Sequence, residues 1–553
     1  MRPQEVDNYP VCHPDRSETI SEPAGYPGDC HGASRLAMRV CDFLRAGQYG
    51  ISRALWANKW GLLAAFCIAA ALLSGCALSK PPEHAEVVQQ ALPGGTKIPS
   101  AWSSVTDTAA VADDWLKSFN DPALDALVAE AIKNNPDLRQ ASDRVEMARQ
   151  SVAVVGSQLY PQIGAPIGVA GTLADKYAPA SQSSDENYYG SNYEYVGVYW
   201  EVDLWGRLRA QRKASEAGYQ ATALDYAYAR QSLAATVAKS WYLAIETRQL
   251  LELAEESVRI YVGLLDLVKV RRTAGKVADL DVAEAGANLS TAQSALRAAQ
   301  GHYSEARRNL ELLLGRYPAA ELAVAKTFIP VPPPVRAGLP ATLLDRRPDL
   351  VAAENQVLAA FRLQEAAKLA LLPNFALTLE GGHLSDGLTS LLRINPWLLH
   401  GTIGMSIPIF TGGALTAQVE IATARQKQVI ARYGSLALRA FYEVEVALTN
   451  EVLLAQRLHE EEKAFRNNGE AVRIARIRYV AGATDMLTVL QLEERQLSSQ
   501  SKVIQLRSAR LANRINLYLS LGGDFDAAPA AAVDGAERKK ERPTLTGTTN
   551  GTR

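Results

Sequence analysis

The sequence predicts a mainly α-helical chain with a β portion, built as two copies of one β-β-long-helix plan. Internal repetition is the first sign. Asn135-Pro136-Asp137-Leu138 returns as Arg347-Pro348-Asp349-Leu350, and Tyr160-Pro161 as Leu372-Pro373, both 212 positions later. Leu204-Trp205-Gly206 returns as Phe410-Thr411-Gly412 at 206; Ala274-Gly275 and Leu314-Gly315 return as Ala481-Gly482 and Leu521-Gly522 at 207. Five anchors held in step over about two hundred residues mark a duplication. Each copy also holds two alternating apolar/polar segments, followed by a very long proline-free stretch.

Composition narrows the classes. Charged residues make up 21% of the 553 and the net charge is −1, so the basic surplus that favours nucleic-acid binding is missing. Aromatic residues are 7%, which points to helices packed through small side chains. All five cysteines (Cys12, Cys30, Cys41, Cys67 and Cys76) lie at or before position 76, so the body has neither a disulfide framework nor a thiolate metal site.

Taken in order, residues 1–50 are polar and mixed in charge, unlike the start of an export signal. They read as an atypical extension or a mis-assigned start, with Met38 the alternative initiator. Within 51–76, Arg53 and Lys59 precede an apolar run from Trp60 to Leu73, the length of a signal-peptide core and short for a membrane span. It ends in Leu73-Ser74-Gly75-Cys76, which resembles the lipobox of bacterial lipoproteins. That resemblance implies acylation of Cys76, and Ala77 in place of aspartate implies the outer membrane. Residues 77–112 read as an extended leader.

The first repeat, 113–327, opens on Asp113 to Asp121 and Pro122, a helix start, with Leu124, Leu127, Val128 and Ile132 at helical spacing and a possible break near Pro136. Strands are expected at about 163–172 and 193–204. In the second, Val196, Val198, Trp200, Val202 and Leu204 alternate with Tyr195, Gly197, Tyr199, Glu201 and Asp203. A proline-free helix from Gly206 to Arg272 would span about 100 Å if continuous. It turns back at a tip near 273–279 into a helix from about Leu280 to Leu314. A Pro-rich linker, 328–340, joins the copies. The second repeat, 341–523, repeats the plan with strands at about 374–380 and 401–410 and a tip near 480–485. Its last helix places Leu487, Leu490, Leu497, Ile504, Leu511 and Ile515 on heptad-like spacing, the mark of coiled-coil packing. Residues 524–553 read as a disordered tail.

Ten-residue strands with one apolar and one polar face fit a membrane β-barrel, or equally a half-buried soluble sandwich. Four strands close no useful barrel, and a sheet with open edges leaves amides unpaired in lipid. A membrane reading therefore requires several chains to share one barrel. Three would supply twelve strands, though the strand count alone leaves the number open.

The arrangement resembles the TolC family of outer-membrane efflux proteins, most of all its OprM/NodT-like lipoprotein branch. The residues that carry the resemblance are Trp115 to Phe119, Asn120-Asp121-Pro122, Asn135 to Leu138, Tyr160-Pro161 and Asp203 to Gly206 in the first copy. Gly338-Leu339-Pro340, Leu343-Leu344, Arg346 to Leu350, Ala353-Glu354, Leu372-Pro373, Pro408 to Phe410 and Gly412-Gly413 carry it in the second. The resemblance implies a homotrimer with a shared twelve-stranded outer-membrane barrel and a periplasmic α-helical tunnel. It also implies tips that close the tunnel and dock on a periplasmic adaptor, joined to an inner-membrane pump, commonly of the RND type.

On that reading the helical tips converge on an axis, and a ring of like charges there repels itself and favours cations. Asp485 is the leading gate candidate, with Arg478 its possible partner across the hairpin; Asp279, Asp281 and Lys276 are the candidates on the first tip. Each acid could equally be an ordinary helix cap. Gly275 and Gly482 are expected to shape the turns and, by resemblance, the adaptor-docking tips. Glu201, Asp203 and Glu380 are expected to face the barrel lumen. Tyr199, Trp200 and Trp205 fit either an interfacial girdle or packing at the barrel base.

Enzyme chemistry finds no carrier. HExxH, Gly-x-Gly-x-x-Gly and P-loop motifs are absent, and Gly275-Lys276 lacks the flanking residues a P-loop needs. His84, His302, His383, His400 and His459 form no metal spacing, and neither metal nor cofactor is expected. The competing readings are a type I protein-secretion exit duct and a non-conducting envelope coiled-coil tether.

Overall fold

A computed structural model describes residues 79–94, 96–103, 113–165, 167–172, 189–385 and 398–524. The export segment with Cys76, residues 173–188 and the tail beyond Asp524 lie outside the described residues.

The leader is not simply extended. It forms helix α1 (His84–Ala91), which lies against the second repeat. Gly434 makes this possible: a Cβ there would stand 2.1 Å from the Ala91 carbonyl oxygen. Further on, Trp102 is buried and donates its indole N–H to the Ala337 carbonyl at 3.1 Å. Weak periodicity hid the helix because α1 is only eight residues long and only Val87 on it is buried.

Each repeat is then laid out alike. In the first, a 3₁₀ turn (Trp115–Phe119) precedes α2 (Pro122–Asn134) and α3 (Pro136–Ser157). Strands β1 (Gln162–Gly164), β2 (Ile167–Thr172) and β3 (Tyr189–Val202) follow, then α4 (Arg207–Thr273) and α5 (Asp279–Leu313). In the second, α6 (Leu343–Arg346) and α7 (Pro348–Leu369) lead to β4 (Asn374–Ser385) and β5 (Leu398–Ser406), then α8 (Ala414–Val480) and α9 (Met486–Ser520). Equivalent helices have equal lengths: 22 residues in α3 and α7, 67 in α4 and α8, 35 in α5 and α9.

The repeated anchors are joints. Asn135 caps α3, accepting from the Asp137 and Leu138 amides at 3.0 Å each, and donates to the Leu313 carbonyl at the end of α5. Arg347 precedes α7 in the same way and donates to the Ser520 carbonyl at the end of α9. Pro136 and Pro348 take the first helical position, where a missing N–H costs nothing. The returning helices end on Gly315 (φ +72°) and Gly522 (φ +68°), each with the paired backbone bonds of a Schellman cap. Both glycines touch their joint: a Cβ on Gly315 would lie 2.7 Å from the Asn134 oxygen, and one on Gly522 would lie 3.2 Å from the Arg347 Cα.

The helices pack through small residues. Buried positions on α4 include Ala210, Ala214, Ala217, Ala221, Ala234, Ala235 and Ala238. Larger side chains gather at mid-length, where Trp115, Phe119 and Tyr518 meet Tyr242, Ile245, Leu310 and Leu511. A second cluster, with Tyr261, Val268, Tyr479, Met486 and Val489, lies toward the tips. Arg514 fixes the Pro-rich linker: buried to 2% exposure, it donates to the Pro332 and Pro333 carbonyls while paired with Glu451.

The sheet is antiparallel, in the order β1-β3-β4-β5, and β2 pairs with β3 in the same continuous register as β1. Directly opposed residues share a face, so the register can be read as rows. One face carries Ile163, Val198 and Leu379, then Trp200, Leu377 and Ile403, then Val202, Phe375 and Met405. The other carries Tyr199, Thr378 and Thr402, then Gly197, Glu380 and His400. Several strand limits differ from expectation: β3 begins earlier, at Tyr189, β4 runs on to Ser385, and β5 begins at Leu398. β3 stops at Val202, leaving Asp203 and Leu204 beyond it, and β5 stops at Ser406, before Pro408. Proline has no N–H for a ladder.

Gly315→Ala should destabilise the chain more than Gly275→Ala. Both require a left-handed alanine, costing about 1–2 kcal/mol, but only Gly315 also meets a backbone oxygen, an overpacking cost of about 1–3 kcal/mol more. Thermal unfolding of the two purified variants checks the order.

Candidate conduction path: the hairpin tips and the sheet

The two tips use the same turn. Helix α4 closes with Gly275 (φ +69°), whose amide bonds to Arg272 while Lys276 bonds back to Arg271. Helix α8 closes with Gly482 (φ +76°), with Gly482 bonded to Tyr479 and Ala483 to Arg478. Only glycine takes this conformation freely, which fits the Ala-Gly pair at both tips.

The acids at the tips are used differently. Asp485 is exposed and caps α9, accepting from the Thr488 amide at 2.8 Å. The Thr488 side chain and amide hold its carboxyl below the usual carboxylate range. Arg478 is exposed and forms no ion pair with Asp485 among the described residues; the expected partnership across the hairpin is not made. In the duplicated register, Ala278 rather than an acid stands where Asp485 stands, so Asp279, Asp281 and Lys276 are not its counterparts. Asp281 instead reaches back to the Ala278 amide at 2.9 Å. Asp279 makes a two-pronged pair with Arg272 at 2.5 and 2.9 Å, and that guanidinium keeps its carboxyl low. Lys276 is exposed.

A contact between the hairpins was not foreseen. Arg271 on α4 donates to the Tyr479 carbonyl on α8 at 2.5 Å, and its guanidinium lies 4.4 Å from the centre of the Tyr479 ring. Tyr479 is buried at 3% exposure, and burial pushes its phenol up against the opposing pull of Arg271. The duplication held a clue: the step of 207 sets Tyr479 against Arg272, one of the places where the two tips diverge in chemistry.

The strand end nearest the helices is also built from side chains. Asp203 does not point from a strand. Its carboxylate accepts from the Leu208 and Arg209 amides at 3.0 and 2.9 Å and caps α4. This is a correction to the expected lumenal placement: a helix start with unsatisfied N–H groups takes a nearby carboxylate. Glu201 lies on the polar face opposite Ala376 and pairs with Arg207 at 2.6 Å. Glu380 lies on the same face, between Gly197 and His400. Trp200 donates to the Leu159 carbonyl at 3.0 Å and Trp205 to the Pro373 carbonyl at 2.6 Å, so both tryptophans fasten the sheet to the helix ends.

The apolar face decides between the two strand readings. Ile163, Leu399 and Ile403 are 75%, 77% and 80% exposed, so no described element covers them. A soluble sandwich buries that face against a second layer; lipid is the solvent that tolerates it bare. Among the described residues, no helix is long and apolar enough to cross a membrane, and no group of side chains is arranged to hold a metal ion.

A duplicated chain with an uncovered apolar sheet and two long helical hairpins defines a class of envelope channel, and comparison with known proteins gives the family. The family model for outer membrane efflux proteins matches residues 127–316 and 339–523, and the chain belongs to that family. It is similar to the pyoverdine export outer membrane protein OpmQ of Pseudomonas aeruginosa, 30% identical over 83% of this chain and 96% of the relative. It is also similar to the cation efflux system protein CusC of Escherichia coli, 29% identical over 83% of this chain and 98% of the relative. Among solved structures, CusC superposes with a TM-score of 0.69 at 26% identity, over 80% of this chain and 99% of that one. The open-state MtrE channel of Neisseria gonorrhoeae superposes at 0.69 and 25%, over 81% and 99%. The protein is an outer-membrane efflux channel with the duplicated helical-tunnel and barrel fold.

Arg271→Leu should loosen the join between the hairpins, since it removes both the carbonyl bond and the ring contact. Hydrogen exchange over 476–485 should quicken while exchange around Trp241 stays unchanged; equal protection in both proteins would show that the join does not hold the tip.

Proposed function

We propose that the chain assembles as a homotrimer whose three four-stranded sheets close one twelve-stranded barrel. This trimer passively carries small molecules from an inner-membrane RND-type pump and a periplasmic adaptor to the exterior. The observation that carries the reading is the sheet: its apolar face is bare, and its order leaves β1/β2 and β5 as open edges. Edge amides in lipid need partners, and identical neighbours supply them. A non-conducting tether has no use for such a sheet. Conduction calls for no catalytic group, and the polar face with Glu380 and Glu201 would line the pore.

The relatives favour small cargo over secreted protein. Their names record pyoverdine export, toluene efflux, antibiotic efflux and cation efflux. The hairpin tips around Gly275 and Gly482 are the adaptor-docking ends, and Asp485 is the charge that three copies would bring together at the closed end. Lipid anchoring in the outer membrane rests on Cys76 and its lipobox.

Purified protein in a planar bilayer should give discrete conductance steps, and repeated silence would sink the channel reading. Asp485→Asn separates gate from cap, because asparagine caps a helix as well as aspartate does. It should raise conductance and weaken cation preference; unchanged current would remove Asp485 from the gate. Cys76→Ser should abolish incorporation of labelled palmitate, and label still entering the variant would place the anchor elsewhere.

A further inference from the structure

The leader is gripped close behind the lipobox by a pair of buried charges that the conduction path does not use. Glu365 and Arg362, on α7, are 9% and 6% exposed and pair with each other at 2.7 Å. Both also bond one leader residue, Ser79. One Glu365 oxygen accepts from the Ser79 amide at 2.5 Å and from its hydroxyl at 2.7 Å. Arg362 donates to the Ser79 carbonyl at 2.9 Å. Thus the backbone N–H and C=O of one residue are both held by charged groups, and such bonds are roughly twice as strong as neutral ones. Burial pushes the Glu365 carboxyl up, but Ser79 and Arg362 together bring it below the usual range.

A buried ion pair is poor evidence of stability, since its desolvation can exceed its attraction. Its presence here calls for a positional explanation. Glu365 is four residues before the end of α7, and β4 begins at Asn374, so the grip sits at the sheet end of the helix. From Ser79 the leader runs back along α7. His84 meets Glu354 at 2.8 Å, α1 settles against Gly434, and Trp102 reaches the linker. Cys76 is three residues before Ser79, and three residues span at most about 11 Å however they are arranged.

We propose that Arg362 and Glu365 form a docking site for the chain's own mature N-terminus, which fixes where the lipid anchor leaves the body, beside the base of the sheet. The lipid part of this rests on acylation of Cys76; the docking part does not. The clamp positions the anchor and takes no part in acylation.

Spin labels on Lys80→Cys and Lys368→Cys test it, in full-length protein with Cys12, Cys30, Cys41 and Cys67 changed to serine and diluted with unlabelled copies. The parent should give one narrow distance. Two variants attack the clamp from opposite sides. Ser79→Pro removes the amide and hydroxyl donors and leaves the body untouched. Arg362→Met with Glu365→Met removes both charges together, so neither is left buried alone. Each should at least double the width of the distance distribution, while palmitate incorporation stays within twofold of the parent. An equally narrow distance in either folded variant overturns the docking site. A narrow parent distance without palmitate incorporation leaves the docking site standing and removes the lipid anchor.

Discussion

The rest of the structure depends on a guanidinium placed where four segments meet. Arg347 is 2% exposed, yet it pairs with Asp349 at 2.7 Å and Glu443 at 2.8 Å, donates to the Ser520 carbonyl and stacks near Tyr228. It thereby joins the start of α7 to α4, α8 and the end of α9. Burial opposes its charge, but the two carboxylates hold it protonated beyond any accessible pH. The carboxylates are needed because a buried charge without partners costs several kcal/mol. Next to it, Arg346 reaches Asp113 and the Gly522 carbonyl, tying in the start of the first repeat.

The first repeat makes the same joint with a neutral side chain in place of the guanidinium. Asn135 performs three tasks with one amide: it accepts from two amides of α3 and donates to the end of α5. This contrast explains how far the sequence could be read. The step of 212 located both joints, and the first was marked by the expected break near Pro136. Their different chemistry was not legible, because the partners Glu443 and Tyr228 come from helices whose facing depends on tertiary packing.

Local signals were read well and shared ones poorly. Strand alternation gave the two faces correctly, because it needs only a period of two. Helix lengths followed from the missing prolines. Asp203 was misplaced because alternation continues past the last ladder bond at Val202, while the carboxylate is taken by a helix that starts four residues later. Asp485 was expected either as a gate charge or as an ordinary helix cap, and the cap is the role its bond to the Thr488 amide shows. The Arg271–Tyr479 contact and the Ser79 clamp join residues 208 and 286 positions apart, beyond any local pattern.

The matched lengths of the helices restrict how this chain can change over time. A tube made of staves has a level rim only while every stave keeps its length. An inserted turn in α4 alone would leave it out of step with α5, and a matching turn in α5 would lift that tip above its twin. To restore the rim, α8 and α9 would have to follow. Single insertions along the 67-residue helices are therefore poor mutational steps. Length variation should collect instead in the linker, the strand connections and the two ends, while the helical spans change by substitution.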